Sequence, residues 1–190
     1  TTWPTYYDAI YNDNQLIASL DNITFSSDSV KGNIAGQVRA LRGIEYFDLV
    51  KMFENIPLLT TATTDIVPQS NPDSVYKLIV TDLKFAAENI NSNANLDSAS
   101  YGRITKYAAE AMLARVYLFY DGVYNNNAGG EMPGGLTKAQ ALAYCEDVIS
   151  SGKYKLESDF KKLWPAACAK KVVNNKTDQE SVVLADYDEA

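Results

Sequence analysis

Histidine is absent from all 190 residues. That removes Ser-His-Asp and Cys-His catalysis, imidazole general bases and His-containing zinc sites together. Cysteine is nearly absent: Cys145 and Cys168 have no CxxC spacing and cannot hold zinc by themselves. Cys145 falls on the apolar stripe of a helical segment and reads as a small buried hydrophobe. A disulfide between the two is the lesser alternative and needs an exporting compartment. Positive charge is sparse. The net charge is −7, the pI is near 4.6, and the 17 basic residues are scattered except for Lys161-Lys162 and Lys170-Lys171. Nucleic acid, which requires clustered Lys and Arg, is therefore excluded as a partner. No apolar run approaches the roughly 18 residues of a membrane-spanning helix. The chain opens Thr1-Thr2-Trp3-Pro4 without Met, a basic leader or an apolar signal segment, so both termini read as cuts through a larger protein.

Helical periodicity is what the sequence has in quantity. Trp3, Tyr7, Ile10, Asn14 and Ile17 recur at spacings of 4, 3, 4 and 3 and predict a first helix ending near Asp21-Asn22. A second is expected from about Asn33 to Phe53. It is apolar on two sides, with Ile34, Val38, Leu41 and Leu49 on one stripe and Ala40, Ile44 and Phe47 on the other. Gly43 in its middle costs about 1 kcal/mol against Ala, offset if a neighbouring helix approaches closely there.

A third helix starts at Asn71-Pro72-Asp73, with a capping side chain, Pro in the first turn and an acid beside it. Its stripe is Val75, Leu78, Ile79, Leu83, Ala86, Ala87 and Ile90. The fourth is expected from Thr105 to Tyr120, with Ala108, Ala111 and Ala114 at a spacing that lets another helix approach. The fifth opens on the capping box Thr137-Lys138-Ala139-Gln140 and stops at Gly152. Its stripe is Leu142, Cys145, Val148 and Ile149. A short helix at Asp159 to Trp164 and a strand at Ser181 to Leu184 complete the expectation. The fold class is all-α: stacked helical hairpins with degenerate tetratricopeptide-like packing. Residues 1–190 form a single, incomplete helical-repeat domain. Three connections, 54–71, 91–102 and 121–136, are long enough to be functional or mobile.

Catalytic chemistry finds little support. Glu45/Asp48 and Asp186/Asp188 lack any spacing that sets two carboxylates across a substrate at roughly 5 to 9.5 Å. Glu45 and Asp48 lie within a turn of Arg42 and Lys51, where a solvated ion-pair network is the simpler reading. Gly129-Gly130 and Gly134-Gly135 precede no phosphate-loop lysine, and Asp121, Asn125, Asn127 and Glu131 miss the spacing of a calcium loop. No enzyme, cofactor or metal is expected. What remains is aromatic: 13 Tyr, 6 Phe and 2 Trp. Tyr101, Tyr120 and Tyr124 stand in or beside polar loops. A flat ring flanked by Asn and Asp suits a sugar, which offers a C–H face to stack and hydroxyls to bond. The candidate ligand residues are Tyr120, Asp121, Tyr124 and Asn125 in the loop after the fourth helix, with Tyr124 stacking and Asn125 donating to a hydroxyl. The opposing reading is a solvated turn whose tyrosines pack on their own hairpin.

Several segments together resemble the SusD/RagB family of bacterial surface nutrient-binding proteins. Trp3, Tyr7, Ile10 and Asn14 are similar to its opening helix, and Arg39 through Val50, continuing to Ile56-Pro57-Leu58, to its second helix and the turn after it. Val75 through Leu83, Gly102 through Leu118, Val148 to Leu156 and Glu180-Ser181-Val182 follow in the family's order. Glu54-Asn55 stand where the family has Gly-Asp, and Gly43 where it has Ala. The resemblance implies a lipoprotein at the outer membrane, surface-exposed and anchored through a segment absent from this chain. It implies an oligosaccharide or other nutrient as ligand and a TonB-dependent, SusC-like transporter as partner. It supplies no ligand residues. Asn14, Arg42 and Arg115 read as buried, hydrogen-bonded scaffold groups. A helical-repeat scaffold for proteins or peptides, without a small-molecule ligand, is the alternative.

Overall fold

The computed structural model describes residues 2–96, 100, 102–154 and 156. Helix α1 runs Thr2–Ser19 and tightens into a 3-10 turn at Leu20–Asn22; α2 is Asp28–Phe53, α3 Pro72–Asn89, α4 Lys106–Tyr124 and α5 Lys138–Ser150. Two residue pairs form the only sheet among the described residues. Strand β1 (Ile56–Pro57) runs antiparallel to β2 (Gln69–Ser70), with Ile56 opposite Ser70. Each helix packs mainly on its predecessor and successor, and the α2–α3 seam is the most extensive. The expected short helix at Asp159 to Trp164, the strand at Ser181 to Leu184, Tyr101 and Cys168 with its pairing lie outside the described residues.

The caps explain where the helices begin. Asn71 and Thr105 accept hydrogen bonds from the backbone N–H groups of Ser74 and Ala108. Thr137 and Gln140 complete the capping box. Gly152 follows α5 with φ +64, the left-handed conformation that ends a helix. Two boundaries differ from expectation. Helix α2 starts at Asp28, not Asn33, because the Ser27 side chain caps it by accepting from the Val30 N–H. Helix α4 runs past Tyr120 to Tyr124, so Tyr120, Asp121 and Tyr124 belong to its last turn and not to a loop. Glu54, closing α2, takes φ +60. It does so at the position where the family it resembles carries glycine, for which that conformation costs less.

The close approach read at Gly43 is real: a Cβ there would lie 3.3 Å from Leu83 Cγ and 3.5 Å from the Ile79 carbonyl. Gly36, two turns earlier on the same seam, is tighter still, 2.7 Å from Ile90 Cγ1. As expected for an interior helix, α2 buries two sides, among them Val38, Leu49 and Val50 along with Ala40 and Phe47. Other stripe assignments fail. Leu41 is exposed on α2. On α5 only Ala141 is buried; Leu142 and Ile149 face solvent, and Cys145 is half-buried. Arg115, read as buried, is exposed. Periodicity marks an apolar face but not which neighbour, if any, covers it.

The connection after α4 is also firmer than its glycines suggest. Met132 and Leu136 are buried and pair across a single antiparallel bridge. Gly134 lies so close to α3 that a Cβ would meet Val80 Cβ at 2.7 Å, and Lys84 Nζ donates to the carbonyls of Gly134 and Gly135.

Replacing Gly36 or Gly43 by Leu is expected to overpack the α2–α3 seam and cost about 1–3 kcal/mol, read as a lowered denaturation midpoint. Ala111, half-buried, is expected to tolerate Leu with a smaller loss.

Candidate functional site

Because successive helices are antiparallel, the N-termini of α1 and α3 and the C-termini of α2 and α4 meet at one end of the stack. Ring contacts trace that end. Trp3 sits edge-on to Phe53 with centroids 4.8 Å apart, and tilted against Tyr7 at 5.0 Å. Tyr76 meets Tyr120 at 4.9 Å and Tyr124 at 5.7 Å, and Tyr120 and Tyr124 lie 5.0 Å apart. Connections 54–71 and 125–136 open from the same end.

The four ligand candidates separate there. Tyr120 is buried and donates its hydroxyl to Asp73 Oδ1 at 2.8 Å. Burial first, and Asp73 second, push its phenol up to about 12. Asp121 is buried too, its carboxylate accepting from the Gly129 N–H at 2.9 Å and its carbonyl from the Asn125 and Asn127 N–H groups. Both are committed to holding the loop. Tyr124 and Asn125 are half-buried and retain reachable surface. Burial raises the Tyr124 phenol, with smaller contributions from Glu54 and Asp73, which puts its hydroxyl in the field of the α2 and α3 termini.

A feature that periodicity did not reveal lies between α1 and the 57–67 segment. A groove of about 650 Å³ is lined there by Trp3, Tyr7, Asp8 and Tyr11 from the helix, and by Leu59 and Thr63 among others from the connection. Trp3 and Tyr7 belong to the stripe read as core, whereas Tyr11 stands apart from it. The spacing of Tyr7 and Tyr11, four residues on one helix, was the available signal.

Side chains from the helices hold the groove wall. Tyr7 donates to the Pro57 carbonyl at 2.8 Å. The Tyr46 hydroxyl donates to the Leu59 carbonyl and accepts from the Leu59 N–H. Asn14 Nδ2 donates to the carbonyls of Leu59 and Thr61 at 3.0 and 3.2 Å. Asn14 is aimed by Arg42, whose Nη1 donates to Asn14 Oδ1 at 2.6 Å. The same guanidinium grips Asp82 with two bonds, Nε to Oδ2 at 2.8 Å and Nη2 to Oδ1 at 2.9 Å. Asn14 and Arg42 are thus the buried scaffold groups expected of them.

The Glu45/Asp48 pair resolves differently from a shared solvated network. Asp48 bridges Lys51 at 2.7 Å and accepts from the Tyr6 hydroxyl. Glu45 turns to Asp13 on α1, and one oxygen of each carboxyl, Glu45 Oε2 and Asp13 Oδ2, is buried without a protein partner. Burial, and then the Asp13 charge, push Glu45 from 4.5 to about 9, with Arg42 opposing and Asp48 adding to the rise. Burial raises Asp13 as well. Neither residue lines the groove. Among the described residues no three acidic or sulfur side chains gather as a metal site, and no helix is long and apolar enough to cross a membrane.

Comparison with known proteins gives one consistent answer. The SusD-like family described as "starch-binding associating with outer membrane" matches residues 1–118. A SusD-like protein of Bacteroides ovatus is 24% identical over 191 residues, covering 97% of this chain and 32% of its own length. A laminarin-binding SusD-like protein superposes with a TM-score of 0.76 at 27% identity, over 96% of this chain and 36% of that one. A structure with a xylogluco-oligosaccharide superposes at 0.74 and 24% identity, over 96% and 34%, a likeness in fold alone. The chain spans about a third of the length of these proteins.

Two outcomes test the scaffold. Arg42→Met strands a buried carboxylate and is expected to cost about 3–5 kcal/mol, whereas Arg42→Met with Asp82→Leu recovers most of it, as read by chemical denaturation. The Glu45 proton stabilises the fold fully below pH 4.5, and that contribution is lost as pH rises towards about 9. Glu45→Gln removes this titration, so its melting temperature relative to the parent is expected to rise steadily across that range.

Proposed function

This chain belongs to the SusD-like family, and on that premise we propose that the whole protein captures glycans at the outer surface of the outer membrane. It hands them to a TonB-dependent, SusC-like transporter and is held there by a lipid anchor outside this chain. The observation that carries the reading is the gathering of aromatic rings and two long connections at one end of the stack. Rings with one reachable face, beside amides and carboxylates, match a sugar's apolar face and hydroxyl rim. The similarity to a laminarin-binding protein supports the same class of ligand. Binding, not turnover, is the activity: the neighbouring carboxyls of Asp13 and Glu45 stand away from the groove.

Within that end, Tyr124 and Asn125 are the ligand contacts of the α4 side, the ring stacking and the amide donating to a hydroxyl. Tyr120 and Asp121 serve them from behind, by fixing the last turn of α4 and the loop that leaves it. A protein-interaction scaffold draws on a separate observation, the exposed Leu118, Leu142 and Ile149 on α4 and α5.

A glycan screen of the full-length protein is expected to return an oligosaccharide ligand. Tyr124→Ala is expected to weaken that ligand roughly tenfold and, through its lost contacts with Tyr76 and Tyr120, to lower the thermal midpoint only modestly, measured by calorimetry and thermal denaturation below that midpoint. Unaltered affinity would remove Tyr124 from the site.

A further inference from the structure

We infer that the groove between α1 and residues 57–67 is a second carbohydrate contact, and that it selects neutral over anionic sugars. The inference rests on the glycan-binding reading above but concerns different residues and a narrower ligand class. Three aromatic side chains, Trp3, Tyr7 and Tyr11, line one wall. They project from one helix at spacings of four, so their rings succeed one another along the groove as sugar rings do along a chain. Tyr7 is tied to the Pro57 carbonyl and Trp3 is braced edge-on by Phe53. Tyr11, half-buried, is the ring best placed to stack on a ligand.

The polar groups set the class. Asp8 and Asp65, both exposed, line the groove, and none of its described lining residues is basic. Two carboxylates accept hydrogen bonds from hydroxyls and repel carboxylate or sulfate groups. The net charge of −7 opposes an anionic ligand further. Asp65 is kept in place by its own turn, its N–H donating to Thr63 Oγ1 and its carboxylate accepting from the Thr63 hydroxyl at 2.9 Å. The wall behind it is pinned through Tyr46 and Asn14. A site whose backbone is fixed in advance loses little order when it binds.

The test is calorimetric titration of the full-length protein with neutral gluco-, xylo- and manno-oligosaccharides and with oligogalacturonate. Neutral sugar is expected to bind and oligogalacturonate to fail. Tyr11→Ala is expected to weaken the neutral ligand roughly tenfold at an unchanged melting temperature. Thr64→Trp, at an exposed position of the opposite wall, fills the groove without touching the core and is expected to weaken it as much; it decides the matter if Tyr11→Ala fails to fold. Undiminished neutral-sugar binding in Thr64→Trp overturns the groove while leaving the glycan reading intact. Preference for oligogalacturonate overturns the ligand class. Loss of both sugars from the unaltered protein, or binding of a lysine-rich peptide in their place, overturns groove and glycan reading together.

Discussion

One guanidinium organises the first half of this protein. Arg42 sits in the middle of α2, buried, and spends three of its N–H donors on two other helices: two on Asp82 of α3 and one on Asn14 of α1. Burial raises the Asp82 carboxyl, and the bonds and charge of Arg42 act against that rise. Such a pair adds little net stability over apolar residues of equal volume. Its effect is positional. The fork accepts one arrangement of its partners, so α1, α2 and α3 are held in a single register. The Asn14 amide, its oxygen already taken, has only its N–H groups left for the carbonyls of Leu59 and Thr61.

The binding end follows from that register. Gly36 and Gly43 let α3 come within contact distance of α2, which brings Tyr76 beside Phe47 and, through α4, beside Tyr120 and Tyr124. On the other flank the 57–61 segment is drawn onto α1 and its Trp3, Tyr7 and Tyr11 become the wall of a groove. The same bonds that fix the scaffold therefore shape the surface. Changes far from any ligand, at Asn14 for instance, act on that surface through the backbone of Leu59.

Much of the fold was legible because its signals are local. The caps at Asn71 and Thr137 and the stop at Gly152 depend on a few neighbouring residues, and each is found where the spacing put it. Gly43 was legible as a contact point because a helix tolerates a central glycine mainly where backbones approach. The start of α2 was harder: Ser27 is a cap, but the residues after it, Asp28 to Asn33, carry no apolar stripe to announce a helix. The end of α4 was masked by Asn125-Asn126-Asn127, which read as a loop from Asp121 onward, although Tyr124 completes the helix against Tyr76. Tyr120 and Asp121 looked like free ligand groups because their partners, Asp73 and the Gly129 N–H, are set by packing.

By itself the sequence determined that the chain is helical, where most helices begin, which family it belongs to, and that its own residues bring no histidine to a site. These rest on residue type and spacing along the chain. Only the tertiary structure decided which apolar stripes are covered, leaving Leu142 and Ile149 outside and Met132 and Leu136 inside. It also decided that Arg42 chooses Asp82 over its own-helix neighbour Glu45, and that Tyr11 looks into a groove. The last two are contacts between residues tens of positions apart. Spacing along one helix cannot specify which surface arrives opposite it, because that depends on the angles and register of all the helices packed together.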